Sequence, residues 1–252
     1  VDFNGQTVLV TGAGAGIGRA TAERFAAHGA NVVVNATAGS VRGRETVDRI
    51  LATGGSATLA TGNVEDEATC QAIVEEGLSA FGRLDVLVNN AGLVVAGTVE
   101  TTQPSDMDKM LDVNIKGTIL MARAALPALR RSGGTIVNLG SVAALKGHLD
   151  RAVYAASKGA IVALTKSMAT DHIAEGVRVN CVCPGTTRTP ALEQKIRAAG
   201  DPQAMAARLE QRQPLGRLAT PEEIAAAVTY AASREATFMV GSVLVIDGGM
   251  SM

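Results

Sequence analysis

Tyr154 and Lys158 stand four residues apart in RAVYAASKGA (residues 151–160), a segment otherwise built mostly of small side chains, in a chain with only two tyrosines. On a helix, that spacing puts both side chains on one face. A phenol with an ordinary pKa of about 10 is a poor base near neutrality. An ammonium at roughly 5 Å, with an effective dielectric of about 20, would favour the phenolate by on the order of 3 kcal/mol. That is about two pKa units, which brings the phenol toward the range where it can take a proton from an alcohol or return one to a ketone oxygen. Arg151 precedes Tyr154 by three residues. If the helix has begun there, its guanidinium joins the same stripe and can hold a carboxylate or sulfonate in forked geometry. The plainer readings are a helix face with three solvated side chains and, for Arg151, a salt bridge to Asp150 or to a neighbouring subunit.

The second chemical feature lies far away, in VLVTGAGAGIGRATAERFA (8–26), where an apolar run passes through Gly12, Gly16 and Gly18 into a helical pattern. Glycines let the backbone turn sharply and approach a pyrophosphate, whose charge then sits at a helix N-terminus. The loop therefore predicts nucleotide binding. An acid about 20 residues beyond such a loop normally holds the adenosine ribose. Here the second run reads VVVNATAGSVRGR (32–44), with Ala36 at that place. Without a carboxylate, the repulsion toward a 2′-phosphate is gone, and Thr37, Ser40 and Arg42 can supply contacts. No basic residue stands in the glycine loop, where Ala15 sits. NAD and NADP both remain open, with the balance leaning toward NADP.

These residues need a scaffold. Short apolar runs recur at 7–11, 31–35, 57–60, 85–89, 135–139, 177–183 and 242–247. Rich in valine and almost without alternation, they read as strands buried on both faces. The stretches between them have helical length, and several end in glycine. The expected fold class is α/β: a single doubly wound Rossmann-type domain over 1–252, with a seven-stranded parallel sheet and helices on both faces. The exception is 186–216, polar and carrying Pro190, Pro202 and Pro214. It is expected to be a substrate lid, with Arg188 at its root; the alternative is a peripheral helical pair that merely packs.

Composition narrows the partners. Hydrophobic residues make up 47% of the chain and aromatics 2%, so Ala, Val, Leu and Ile must fill the core. A net charge of −1 offers no field for nucleic acid or anionic lipid. No apolar stretch has the length of a membrane span, and the first residues do not read as a secretory signal. Cys70, Cys181 and Cys183 form neither a disulfide framework nor a zinc spacing, and Cys181 and Cys183 read as buried strand thiols. His28, His148 and His172 have no ligand spacing, so no metal is expected. LGSVA lacks the serine-hydrolase elbow. A cytoplasmic protein acting on a small molecule is expected.

With TGAGAGIG (11–18), NNAG (89–92), Asn114 in DVNIKG, GS (140–141), YAASK (154–158), PG (184–185) and IDGG (246–249), the sequence resembles the short-chain dehydrogenase/reductase family over its whole length. The resemblance implies an NAD(P)-dependent oxidoreductase that interconverts a secondary alcohol and a ketone by hydride transfer. In that setting Ser141 would hydrogen-bond the substrate oxygen. Asn114 would hold a water relaying protons to Lys158. The pyrophosphate loop would comprise Gly12, Gly16, Ile17 and Gly18, with Thr37, Asn63 and Val64 near the adenosine. Asn90, Ala91 and Gly92, together with Tyr154 and Lys158, would flank the nicotinamide ribose; Pro184, Gly185 and Thr189 would form the carboxamide turn. Family members commonly form tetramers, so a homotetramer is expected.

Within the family, RAVYAASKGAI, RVNCVCPGTTRTPAL and PLGRLATPEEIA are similar to the subgroup of type 2 3-hydroxybutyrate and 2-keto-3-deoxy-fuconate dehydrogenases. These act on small hydroxy or keto acids, which agrees with a substrate anion at Arg151 and Arg188. The subgroup usually carries an acid after the second strand and uses NAD; Ala36 departs from it. Reduction of a 3-oxoacyl carrier-protein thioester is the alternative within enzymes, and a non-catalytic nucleotide-binding regulator is the alternative outside them.

Overall fold

The computed structural model describes residues 1–252, and the seven apolar runs are its seven strands: β1 (Thr7–Val10), β2 (Asn31–Ala36), β3 (Ser56–Thr61), β4 (Val86–Asn89), β5 (Thr135–Leu139), β6 (Arg178–Pro184) and β7 (Val243–Ile246). They form one parallel sheet in the order β3-β2-β1-β4-β5-β6-β7. β1, β4 and β5 are buried at every position. β3 and β7 are partly exposed, because each is an edge with a neighbour on one side only. Residue types do not betray this, since β7 is as apolar as β1.

Alternate residues of each strand feed two cores, as the period of two requires. Val8 and Val10 face one side, with Phe25 of α1 (Gly16–Ala27) and Ile224 and Val228 of α9 (Pro221–Ala232). Leu9 faces the other, with Ile73 of α3 (Glu67–Phe81) and Met121 and Leu129 of α5 (Gly117–Ser132). Each such large aliphatic side chain contributes about 1.5–3 kcal/mol by leaving water. Phe3 and Phe25 meet edge to face at 4.8 Å. Elsewhere alanines on α1 and α9 fill the contact, which is how a chain so poor in aromatics closes its core.

The remaining helices are α2 (Val41–Ala52), α4 (Pro104–Leu111), α6 (Ala152–His172), α7 (Pro190–Arg197) and α8 (Pro202–Glu210). In α7 and α8, Thr189 and Asp201 accept N-cap hydrogen bonds just before a proline that suits the first helical position. The chain therefore marks both starts within 186–216. No helix is long and apolar enough to cross a membrane. Strand order reverses between β1 and β4, so the loops after these strands diverge and open a crevice at the carboxyl edge.

Candidate active site

The glycine loop closes one wall of that crevice. A methyl on Gly18 would clash with the Gly12 carbonyl oxygen and with Asn90 Nδ2, and Gly12 has φ +62° with Ala91 Cα against it. Asn90 braces the arrangement: Nδ2 donates to the carbonyls of Thr11 (2.8 Å) and Gly12 (3.2 Å). Asn35 braces it from β2, accepting from Gly12 N–H at 3.3 Å and donating to the Ala60 and Gly62 carbonyls. The family pattern does not point to Asn35; a polar residue in the run VVVNA is its only signal. α1 starts at Gly16 without a side-chain cap, so its first N–H groups face the crevice free to meet an anion.

Gly12, Gly16, Ile17, Gly18, Thr37, Asn63, Val64, Asn90, Ala91, Gly92 and Thr189 line a cleft of about 570 Å³, together with Arg42. A backbone with no room for a Cβ at Gly18 and an uncapped helix start beside a cleft of this size fit a dinucleotide.

A second cleft, of about 390 Å³, shares Ile17, Asn90, Gly92, Leu93, Thr189 and Ala191 with the first. Ser141, Arg151, Tyr154, Lys158, Pro184 and Gly185 line it. Ser141 follows β5 and accepts from the Ala143 N–H at 3.1 Å, so it caps a short turn and also faces the cleft. Lys158 is only 5% exposed, and its Nζ donates to the Leu139 carbonyl at 2.8 Å. Burial lowers this ammonium to about 8. Burial pushes the Tyr154 phenol above its ordinary value; the Ser141 hydroxyl and the Arg151 charge pull it down without cancelling that.

The expected two-unit depression of the phenol by Lys158 is therefore absent from the free protein. Burial disfavours the charged form of both groups, lowering the lysine and raising the phenol.

Asn114 lies outside both clefts, 1% exposed, on a π-helical turn (Asp112–Lys116) between α4 and α5. Its Oδ1 accepts from Leu93 N–H at 2.7 Å; Nδ2 donates to the Leu93 carbonyl at 2.9 Å and to Ser157 Oγ at 3.0 Å. Ser157 Oγ in turn donates to the Tyr154 carbonyl. The amide thus ties the chain after Gly92 to α6, and both its donors are used. A relay water could meet this side chain only as a donor to Oδ1, which accepts one bond already.

The two expected substrate arginines part company. α6 begins at Ala152, one residue after Arg151, so the shared helical stripe does not include Arg151. It reaches the cleft from a position bridged to Gly97, with Nη1 on the Asp150 carbonyl at 2.6 Å rather than on a carboxylate. Arg188 does not line the cleft: it bridges Glu193 at 2.7 Å and Glu210 at 2.9 Å, joining α7 to α8. In its place the cleft has His148, Lys195, Arg208 and Arg212, which the family motifs do not touch. The spacing of Arg208 and Arg212, four apart at the end of a helical pattern, is their only trace in the sequence.

A family model described as enoyl-(acyl carrier protein) reductase matches residues 12–251. The chain is 44% identical over 250 residues to an uncharacterized oxidoreductase of Thermotoga maritima, covering 99% of this chain and 98% of that protein. It is 40% identical over 249 residues to meso-2,3-butanediol dehydrogenase of Serratia marcescens, covering 98% and 95%. A double mutant of a Serratia marcescens short-chain dehydrogenase/reductase superposes with a TM-score of 0.92 at 35% identity, with both chains fully covered.

Proposed function

From the premise that the chain belongs to the short-chain dehydrogenase/reductase family, and is an NAD(P)-dependent oxidoreductase of alcohols and ketones, we propose that its substrate is a small hydroxy or keto acid, a sulfonate or an acidic sugar derivative. The observation that carries this reading is the meeting of Ser141, Tyr154, Lys158 and Arg151 in one cleft that opens into the glycine-loop cleft. The nicotinamide, when bound, accepts or supplies the hydride. Tyr154 Oη takes the alcohol proton in oxidation and returns it to the ketone oxygen in reduction. Ser141 Oγ holds that oxygen and favours its developing charge. Lys158 favours the phenolate once its own charge is stabilised, and Asn114 positions α6 through Ser157. Arg151 takes the acidic end of the substrate.

Thr37, Asn63 and Val64 hold the adenosine end. Arg42, without an acid partner at the end of β2, favours NADP over NAD. The segment 186–216 acts as the lid. Ala156 and Gly159 leave part of α6 uncovered, which supports packing of α6 on a second copy in a homotetramer.

Replacing Tyr154 by Phe tests the mechanism. Turnover of any accepted alcohol should fall about 10³-fold or more, with nucleotide affinity unchanged. Near-native turnover would overturn the assignment.

A further inference from the structure

We propose that the mouth of the substrate cleft recognises a doubly charged acidic group, held between Arg151 and the pair Arg208 and Arg212. The proposal deepens the reading above and rests on it for the alcohol or ketone end of the molecule. Four permanent cations line this cleft besides Lys158, namely Arg151, Lys195, Arg208 and Arg212, and no Asp or Glu lines it. None of the four is engaged in an ion pair. The acids that the same helices carry nearby are withheld: Arg188 binds both Glu193 and Glu210 outside the cleft. Every charged side chain that 186–216 places along the cleft is therefore a cation.

The cations also feel one another. Burial holds the Arg212 guanidinium below its usual range, and the charges of Arg208 and Arg151 add to that. His148 is pushed down by burial and then by Arg212, Lys146 and Arg151, and its Nε2 is buried without a hydrogen-bond partner. Like charges gathered without a counter-charge weaken the free protein locally and favour any ligand that brings anions. One carboxylate occupies one guanidinium fork. A second fork and a nearby ammonium call for a second charge and more acceptor oxygens. Val142 and Ala143 in the lining are buried, whereas Lys195, Arg208 and Arg212 are exposed, so the reacting carbon lies deep and the charged group lies at the rim. A phosphate ester and a dicarboxylate share this chemistry.

The enzyme saturated with NADH or NADPH, whichever binds, is titrated with acetate, malonate and inorganic phosphate, following nucleotide fluorescence and melting temperature. Malonate or phosphate should bind at least tenfold more tightly than acetate. R208Q/R212Q should abolish that preference and leave nucleotide affinity unchanged; R208Q alone should reduce it severalfold if the double variant does not fold. Tighter malonate points to a dicarboxylate, and tighter phosphate to a phosphate ester. Affinities for all three anions within twofold, or a preference that survives R208Q/R212Q, would overturn the proposal. Because the readout is binding, anion selectivity without turnover of any alcohol would sink the oxidoreductase reading and spare this one. Turnover of acidic and neutral alcohols alike without anion selectivity would do the reverse.

Discussion

Replacing Lys158 by Met removes a buried charge while keeping an apolar stem of similar length. In the nucleotide-free protein, burial takes this ammonium from an ordinary 10.5 to about 8. A drop of that size is a folding cost of about 3 kcal/mol for the charged form. Below pH 8 the folded and unfolded chains both hold the proton, and the folded one bears the whole cost. Between about 8 and 10.5 the folded chain has released its proton while the unfolded chain still binds it, so stability rises with pH through that window. The K158M variant has nothing to titrate there. The wild type should therefore gain on K158M by about 3 kcal/mol, or about 6–12 °C in melting temperature, as the pH climbs from about 7 to about 10.5.

Thermal unfolding of the two nucleotide-free proteins side by side reads the difference, and general alkaline effects cancel in it. Losing the 2.8 Å hydrogen bond to Leu139 moves the absolute stability of K158M but not the slope. A flat difference across the window would refute a costly buried ammonium. On the proposed mechanism Lys158 is charged beside the phenol, so saturating nucleotide should shrink the slope by raising the lysine again.

Arg42→Gln should raise the Kd for NADPH about tenfold or more, the worth of a charge-assisted hydrogen bond, and leave NADH within about twofold; fluorescence titration checks it, and equal effects would remove the NADP preference. Gly18→Ala drives a methyl into the Gly12 carbonyl oxygen, so nucleotide affinity should fall about 100-fold, read in the same titration. Arg178 donates to the carbonyls of Ala231, Ala232, Ser233, Ala236 and Met239, gathering the end of α9 and the turn after it. Arg178→Met orphans these acceptors and should cost about 3 kcal/mol or more in urea unfolding.

What can be read from the sequence is whatever depends on local order along the chain. Each strand lies within two residues of its apolar run; the inner strands do so because burial on both faces writes their length in valine, leucine and isoleucine. Ser141, Tyr154 and the glycine loop are legible as types at known spacings, and the fold brings them to adjoining clefts. What depends on burial or on a distant partner is not legible. The i, i+4 spacing of Tyr154 and Lys158 says they are neighbours; it does not say that Lys158 is sealed at 5% exposure, where burial lowers its pKa.

Arg188 shows the same limit from the other side. As a charge at the root of a polar segment it resembles a substrate ligand, and only the packing of α7 against α8 reveals Glu193 and Glu210 as its partners. Those ion pairs are at the surface, where each is worth little in stability. Their larger consequence is electrostatic. With both carboxylates engaged by Arg188, no acid from 186–216 lines the cleft that Lys195, Arg208 and Arg212 face. A residue that touches neither cleft thus holds two carboxylates away from the one that four cations line.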